Sequence, residues 1–221
     1  MSVQSLFTSA MYKFGQSPDN QRFSDDFLSA INDAQNEIAN RRRWGFLKTS
    51  STVTATISTR TVSLPAAFGK PYDHRGALRI TSPAANLGDT IELIPMDSWY
   101  NDNYEDGSTT GTPSMAYIMG DLLYLSPIPD AAYVIAMIYY KRPTAIADTS
   151  TAITIPAAYE LLLKKCVYRS LQDNGYSSIT ELQVSDNDIE KIINSCARDD
   201  IAKYGGATFN LNSSTYVSRT I

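Results

Sequence analysis

Val3, Leu6, Phe7, Ala10, Met11 and Phe14 recur at three- and four-residue spacing, which predicts one buried face of a helix at the start of the chain. Ser2 can cap its start and Gly15 its end. The polar stretch "SPDNQR" (17–22) predicts a linker. A second helix is expected next, with Ser24 as N-cap and Asp25 and Asp26 at the positive end of its dipole. Phe23 and Leu28 would form a hydrophobic staple across that cap. Its buried stripe is Phe27, Leu28, Ile31, Ala34, Ile38 and Ala39. The helix should run to about Arg43, where Arg41, Arg42 and Arg43 suit the negative end of the dipole.

The period then changes from helical to alternating. Val53, Ala55 and Ile57 alternate with Thr52, Thr54 and Thr56, and Val62 and Leu64 alternate again before Pro65, so half-buried strands are predicted. "ALRIT" (77–81) and "TIELI" (90–94) are further strands, separated by the turn-rich "SPAANLGD" (82–89). Met96, Trp99, Tyr100 and Tyr104 sit at helical spacing after Pro95 and predict one short helix. "MAYIMGDLLYL" (115–125) reads as a hairpin turning at Gly120 and Asp121. "SPIPD" then leads into "AAYVIAMIYY" (131–140), the most apolar run of the chain. As a strand it sends Tyr133, Ile135, Met137 and Tyr139 one way and Val134, Ala136, Ile138 and Tyr140 the other. Both faces are apolar, which predicts a central strand covered on both sides.

Helical spacing returns at Pro156, well placed as a first helical residue. Tyr159, Leu162, Leu163, Cys166 and Val167 form one face, with Leu161, Tyr168 and Leu171 on a second, up to Asn174 and Gly175. A fourth helix is predicted from Ser185, with Asp188 completing a weak capping box and Val184 stapling to Ile189. Its stripe is Ile189, Ile192, Ile193, Cys196, Ala197 and Ile201, and Gly205-Gly206 stops it. The last residues read as an extended tail. The predicted class is therefore α+β: a four-helix bundle (1–47 with 141–205), an inserted β-rich domain (48–140), and an extended C-terminal tail (206–221).

The chain's 221 residues can bury a substantial core, and 43% hydrophobic with 19% charged residues is a globular composition. The net charge of −4 argues against a protein built to grip nucleic-acid phosphates. The apolar run at 131–140 is too short to span a bilayer, and "MSVQSLFTSAMYKFG" lacks the basic start and apolar core of a signal peptide. Cys166 and Cys196 lie far apart in helical stripes and read as buried hydrophobes rather than a disulfide.

Candidate chemistry is sparse. The single histidine, His74, sits among charges in a turn-like stretch, and there is no Gly-x-Ser-x-Gly elbow, no metal-ligand spacing and no phosphate-binding loop. "DNDIE" (186–190) lacks the glycine and terminal glutamate of a calcium loop. Glu105 and Asp106 are adjacent loop acids. No enzymatic role and no cofactor are expected. Arg41–Arg43 are the one dense basic cluster, readable as dipole compensation or as a contact with an acidic partner or with DNA backbone. Fourteen tyrosines suit half-buried, partner-shared surfaces.

Three stretches, taken in order, resemble a known family: "INDAQNEIANRRRWGFL" (31–47); "TVSLPAAF" (61–68) with "ELIPMDSW" (92–99); and "GTPSMAYIMGDLLYLSPIPDAAYVIAMIYYKRP" (111–143) with "IPAAYELLLKKCVYRSL" (155–171). Together they resemble the head-to-tail adaptor proteins of tailed bacteriophages, including the tail tubular protein A type. The resemblance implies a structural virion protein, assembled in the host cytoplasm and residing at the head–tail interface. It implies a homo-oligomeric ring, a dodecamer, that docks on the portal protein, supports the tail or nozzle protein, and continues the DNA channel without sequence-specific binding or a membrane. Arg41, Arg42 and Arg43 would face a partner or DNA. In the tail, Phe209, Leu211, Tyr216, Val217, Arg219 and Ile221 would bind the portal, ordering as they do so. Two other classes remain open from the residues alone: a receptor- or glycan-binding module using tyrosines and Trp99, and a cell-wall hydrolase carried by the virion.

Overall fold

The structure is a computed structural model that describes residues 2–72, 76–97, 109–177 and 185–204. It is mixed α+β, with four α-helices and a large, nearly closed β-sheet among the described residues. The chain separates into two compact units, Met1–Phe46 with Pro143–Ile221, and Leu47–Arg142.

The first unit is helical. Helix α1 (Val3–Phe14) starts at a capping box in which Ser2 and Ser5 bond reciprocally, and it stops at Gly15, whose φ of 61° is the left-handed conformation glycine tolerates. Helix α2 (Gln21–Arg41) begins a turn earlier than Ser24 predicts. Asn20 is the cap: its Oδ1 accepts the Phe23 N–H at 3.2 Å, and the Ser24 N–H is already spent on the Asn20 carbonyl. The Ser24 cap and its Phe23–Leu28 staple are thus corrected, because an asparagine four residues upstream closes the first turn before Ser24 can. Phe23 instead lies inside the helix and is fully buried, its ring edge-on to Tyr176 with centroids 5.1 Å apart. The helix ends at Arg41, and Arg42 is extended.

Helix α3 (Glu160–Asp173) follows a 3-10 turn at Ala157–Tyr159 that Pro156 opens. Leu162, Leu163, Cys166, Val167, Tyr168 and Leu171 are buried, but Leu161 is exposed, so the second apolar face is narrower than expected. Helix α4 (Asp186–Tyr204) is capped by Ser185, whose hydroxyl accepts the Asp188 N–H at 3.2 Å and donates to the Asp188 carboxylate. Val184, the other half of its expected staple, lies outside the described residues. Phe7 packs edge-on to Phe27 and Phe14 edge-on to Tyr168, which joins α1 to α2 and α3.

The second unit is the sheet. Its strands are β1 (Lys48–Ala55), β2 (Thr61–Ser63), β3 (Phe68–Pro71), β4 (Leu78–Ser82), β5 (Thr90–Leu93), β7 (Met115–Met119), β8 (Leu122–Ser126) and β10 (Tyr133–Lys141). They run in the order β1-β10-β4-β5-β7-β8-β2, with β3 also paired to β10; the small strands β6 (Thr110–Gly111) and β9 (Ile128–Pro129) form a separate pair. The β7–β8 hairpin turns at Gly120, whose φ is 60°. Ile57, expected to continue the alternation of β1, lies beyond its end and is exposed.

Strand β10 is central, as its sequence predicts. It pairs with β1 on one side and with β3 and β4 on the other. Its cover is one-sided. Tyr133, Ile135, Met137 and Tyr139 are buried with Val53, Ala55, Leu78, Ile80 and Ile91 in the sheet's core. Val134, Ala136, Ile138 and Tyr140 are only half-buried. Their neighbours across the ladder are polar: Thr52 and Arg79 flank Ala136, and Lys48 and Lys70 flank Tyr140. Long side-chain stems shade these positions without burying them. Of the short helix predicted after Pro95, only Met96 and Asp97 are described, in helical conformation; Trp99, Tyr100 and Tyr104 lie outside the described residues.

In the helical unit, two amides of α2 hold the segment 144–154, which turns at Asp148. Asn32 accepts the Ile146 N–H at 2.8 Å and donates to the Ile146 carbonyl at 2.9 Å. Gln35, 1% exposed, accepts the Thr154 N–H at 3.0 Å and donates to the Thr144 carbonyl. Replacing Asn32 by leucine strands both polar groups of Ile146 and should lower stability by about 1–3 kcal/mol, read as a shift in the urea midpoint. Asn20→Ala should cost about 1 kcal/mol, and Ser24→Ala much less, because only Asn20 caps the helix.

Candidate interaction surfaces

The last turn of α2 places Glu37 and Arg41 four residues apart on one face, and Arg41 Nη2 bonds Glu37 Oε1 at 2.8 Å. Arg41 also pairs with Glu190 of α4. The other oxygen of Glu37 pairs with Arg169 of α3, and Arg169 pairs with Asp186 at the start of α4. The result is a line of alternating charge, Asp186–Arg169–Glu37–Arg41–Glu190, across three helices. The hydrogen bond to Glu37, followed by the charges of Glu37 and Glu190, holds the Arg41 guanidinium above its ordinary pKa. Next to this line, Arg42 Nη2 donates to Asn194 Oδ1 of α4 at 2.8 Å.

Of the predicted arginines, Arg41 and Arg42 are therefore turned toward α4, while remaining partly exposed, and Arg43 is exposed. The arginine run fastens helices as well as presenting charge. Phe209, Leu211, Tyr216, Val217, Arg219 and Ile221 lie outside the described residues, as do His74, Trp99, Glu105 and Asp106.

Immediately after the arginines the chain forms a second polar feature. Trp44 is buried, and its Nε1–H donates to the Ile38 carbonyl at 2.6 Å. Its ring packs with Phe46 and Tyr159, each pair of centroids within 5.6 Å. Beside this cluster lies Asp200 of α4, 6% exposed. One of its oxygens accepts the Gly45 N–H at 2.6 Å and the other accepts the Tyr159 hydroxyl at 3.3 Å. Burial, then the nearby Asp200 charge, pushes the Tyr159 hydroxyl well above its ordinary pKa. Gly45 is required by a close approach, since a Cβ there would lie 2.5 Å from the Cβ of Tyr204. Neither Asp200, Asn32 nor Gln35 was among the predicted functional positions. A signal existed: Asp200 continues the Ile189–Ile193–Cys196–Ala197 stripe, and Gln35 sits within the Ile31–Ala34–Ile38 stripe. A polar residue at a buried helical position needs a partner.

The sheet unit carries a cleft of about 750 Å³ lined by Tyr72, Ala77, Thr90, Glu92, Ile94 and Ser114 among others. Glu92 is the one carboxylate among the described lining residues, whereas glycoside hydrolysis uses a facing pair. Among the described residues no three His, Cys, Asp or Glu side chains converge as metal ligands, and no helix is long and apolar enough to cross a membrane.

Residues 1–206 match the family profile described as SU10 adaptor protein. No curated protein matches the sequence.

Truncating the buried acid tests the second feature. Asp200→Ala should lose about 2 kcal/mol, while Asp200→Asn, which keeps an acceptor for Gly45, should retain most of it. Gly45→Ala should cost about 1–3 kcal/mol through the clash with Tyr204. Burial pushes the Cys166 thiol up to about 12. Against about 8.5 in the unfolded chain, its contribution to stability is complete below that pH and is lost as pH rises toward the folded value. A thiol-reactive disulfide reagent should therefore leave Cys166 unlabelled in the native protein at mildly alkaline pH and label it promptly in urea.

Proposed function

The chain belongs to the SU10 adaptor protein family, and from that premise we propose that it forms a ring joining the phage portal to the tail or nozzle and continuing the DNA channel. The family assigns a structural role in the virion and association with other phage head and tail proteins. The proposal adds the ring, a dodecamer of the tail tubular protein A type, its seat beneath the portal, and a helical unit working as a four-helix bundle. One observation carries it: the profile match runs through both the helical unit and the sheet interrupting it, so the whole architecture is that of an adaptor.

Ring closure calls for heterologous contacts, one face of each copy against a different face of the next. Within this reading Arg41, Arg42 and Arg43 face an acidic partner surface or DNA, and Phe209, Leu211, Tyr216, Val217, Arg219 and Ile221 dock on the portal. The acidic balance of the chain suits a conduit that must let DNA pass rather than hold it.

Negative-stain imaging of the purified protein, alone and mixed with its portal, tests the proposal. Rings stacked on portal are expected, and a protein that stays monomeric with portal present would sink it. Charge reversal separates the arginines. Arg43→Glu should weaken portal-dependent assembly, read as fewer rings stacked on portal in the same images. Arg41→Glu should lower stability as well, because it places like charges beside Glu37 and Glu190.

A further inference from the structure

One end of the sheet unit carries the two most exposed large apolar side chains described in that unit, Leu87 at 66% and Ile57 at 55%. Ile57 sits in the turn after β1, where the Thr59 N–H donates to the Thr56 carbonyl at 3.1 Å. That turn holds Ser58 at φ 60°, a left-handed conformation that costs a serine energy. Leu87 follows the 3-10 turn between β4 and β5. The two tips are fixed to each other through side chains. Asn86 Nδ2 donates to Thr112 Oγ1 at 3.1 Å, the Thr112 hydroxyl lies 3.1 Å from that of Tyr133, and Tyr133 donates to Asp130 Oδ1 at 2.6 Å. Beside Asp130, the Pro129 carbonyl accepts the Ser58 N–H at 2.8 Å. Residues 54–59, 82–89, 109–113 and 127–132 contain two charged side chains, Asp89 and Asp130, both exposed, and no lysine or arginine.

We infer that this end of the sheet is a docking platform for a protein surface that offers an aliphatic socket bordered by lysine or arginine. Apolar groups on flexible tips lose affinity when binding orders them, whereas Ile57 and Leu87 are held in advance by the network between their turns. The strained serine keeps Ile57 outward, and such strain persists where a position is used. The two carboxylates choose among occupants. They repel the phosphates of nucleic acid and of an anionic membrane. A second copy laid on the same surface would set Asp89 and Asp130 against their own counterparts, which opposes a symmetric dimer here. Basic groups around an apolar pocket meet both the aliphatic tips and the acidic rim. The partner's identity rests on the adaptor reading: with the C-terminal residues assigned to the portal, the tail or nozzle protein is the neighbour left for the sheet.

Biolayer interferometry of the full chain against the purified tail or nozzle protein, and separately against portal, is the test. Leu87→Asp and Ile57→Asp should each weaken binding to the tail protein by about tenfold or more, as for an anchor in a desolvated pocket, and leave portal binding unchanged. Asp89→Asn should weaken it about two- to fivefold at low salt and less as salt rises, because charges at a rim are screened. Met119→Asp alters an exposed apolar residue at the far end of the β7–β8 hairpin and should change neither. Circular dichroism confirms folding, and Leu87→Ser and Ile57→Ser test the same contacts where an aspartate variant does not fold. Tail-protein binding that is indifferent to both Leu87 and Ile57 overturns the inference. So does loss of portal binding in these variants, which would assign the surface to the portal. Rings that fall apart while tail-protein binding persists would assign it to a second copy and overturn it too. A parent protein that binds portal but not the tail protein removes this platform and leaves the portal side of the adaptor reading standing, whereas binding to neither removes both.

Discussion

The helical unit is built from two stretches of chain separated by an entire sheet, so its irregular backbone at both crossings must find hydrogen-bond partners. Buried polar side chains meet that constraint. On the outgoing side, Asp200 accepts the Gly45 N–H while Tyr159, Trp44 and Phe46 close around it. On the returning side, Asn32 and Gln35 receive and donate to the backbone of Ile146, Thr144 and Thr154. Helix packing alone would bring the apolar stripes together but leave these segments unanchored. The amides and the carboxylate convert two loose connections into fixed parts of the unit, since an unmade buried hydrogen bond costs more than a made one contributes.

The sheet depends on β10 in a comparable way. A strand paired along most of its length on both edges fixes the register of β1, β3 and β4 together. A one-residue slip would send Tyr133, Ile135, Met137 and Tyr139 out of the core and bring the residues flanked by Lys48, Lys70 and Arg79 into it. The outer-face positions of the sheet are thus held in place by the hydrophobic register beneath them.

Much of this was legible in the sequence. Helix positions, the β7–β8 hairpin and the central place of β10 followed from periodicity, glycine position and length, which are local properties. The first helix and the fourth were also correctly capped by Ser2 and Ser185. The cap of α2 was misplaced because Asn20 and Ser24 are both competent caps, and choosing between them depends on where Phe23 is buried. The one-sided cover of β10 was missed for a related reason. Alternation shows what a strand could bury, but neighbours across the ladder decide what it does bury, and Lys48, Lys70 and Arg79 come from distant stretches. The arginine run was visible as charge, whereas its partners Glu37, Glu190 and Asn194 are a property of three assembled helices.

That difference between charge counted along a chain and charge placed in space bears on function. A net charge of −4 speaks against a protein that grips DNA. It says nothing of how charge is segregated. In the helical unit the cations Arg41 and Arg169 are interleaved with Glu37, Asp186 and Glu190, so their fields largely cancel beyond the helices they join. On the sheet, Arg79 lies opposite Thr90, and Glu92 is two residues along on the same face of β5. Charge counted along the chain is therefore no guide to the field at a surface, because the fold sets which cations lie beside acids.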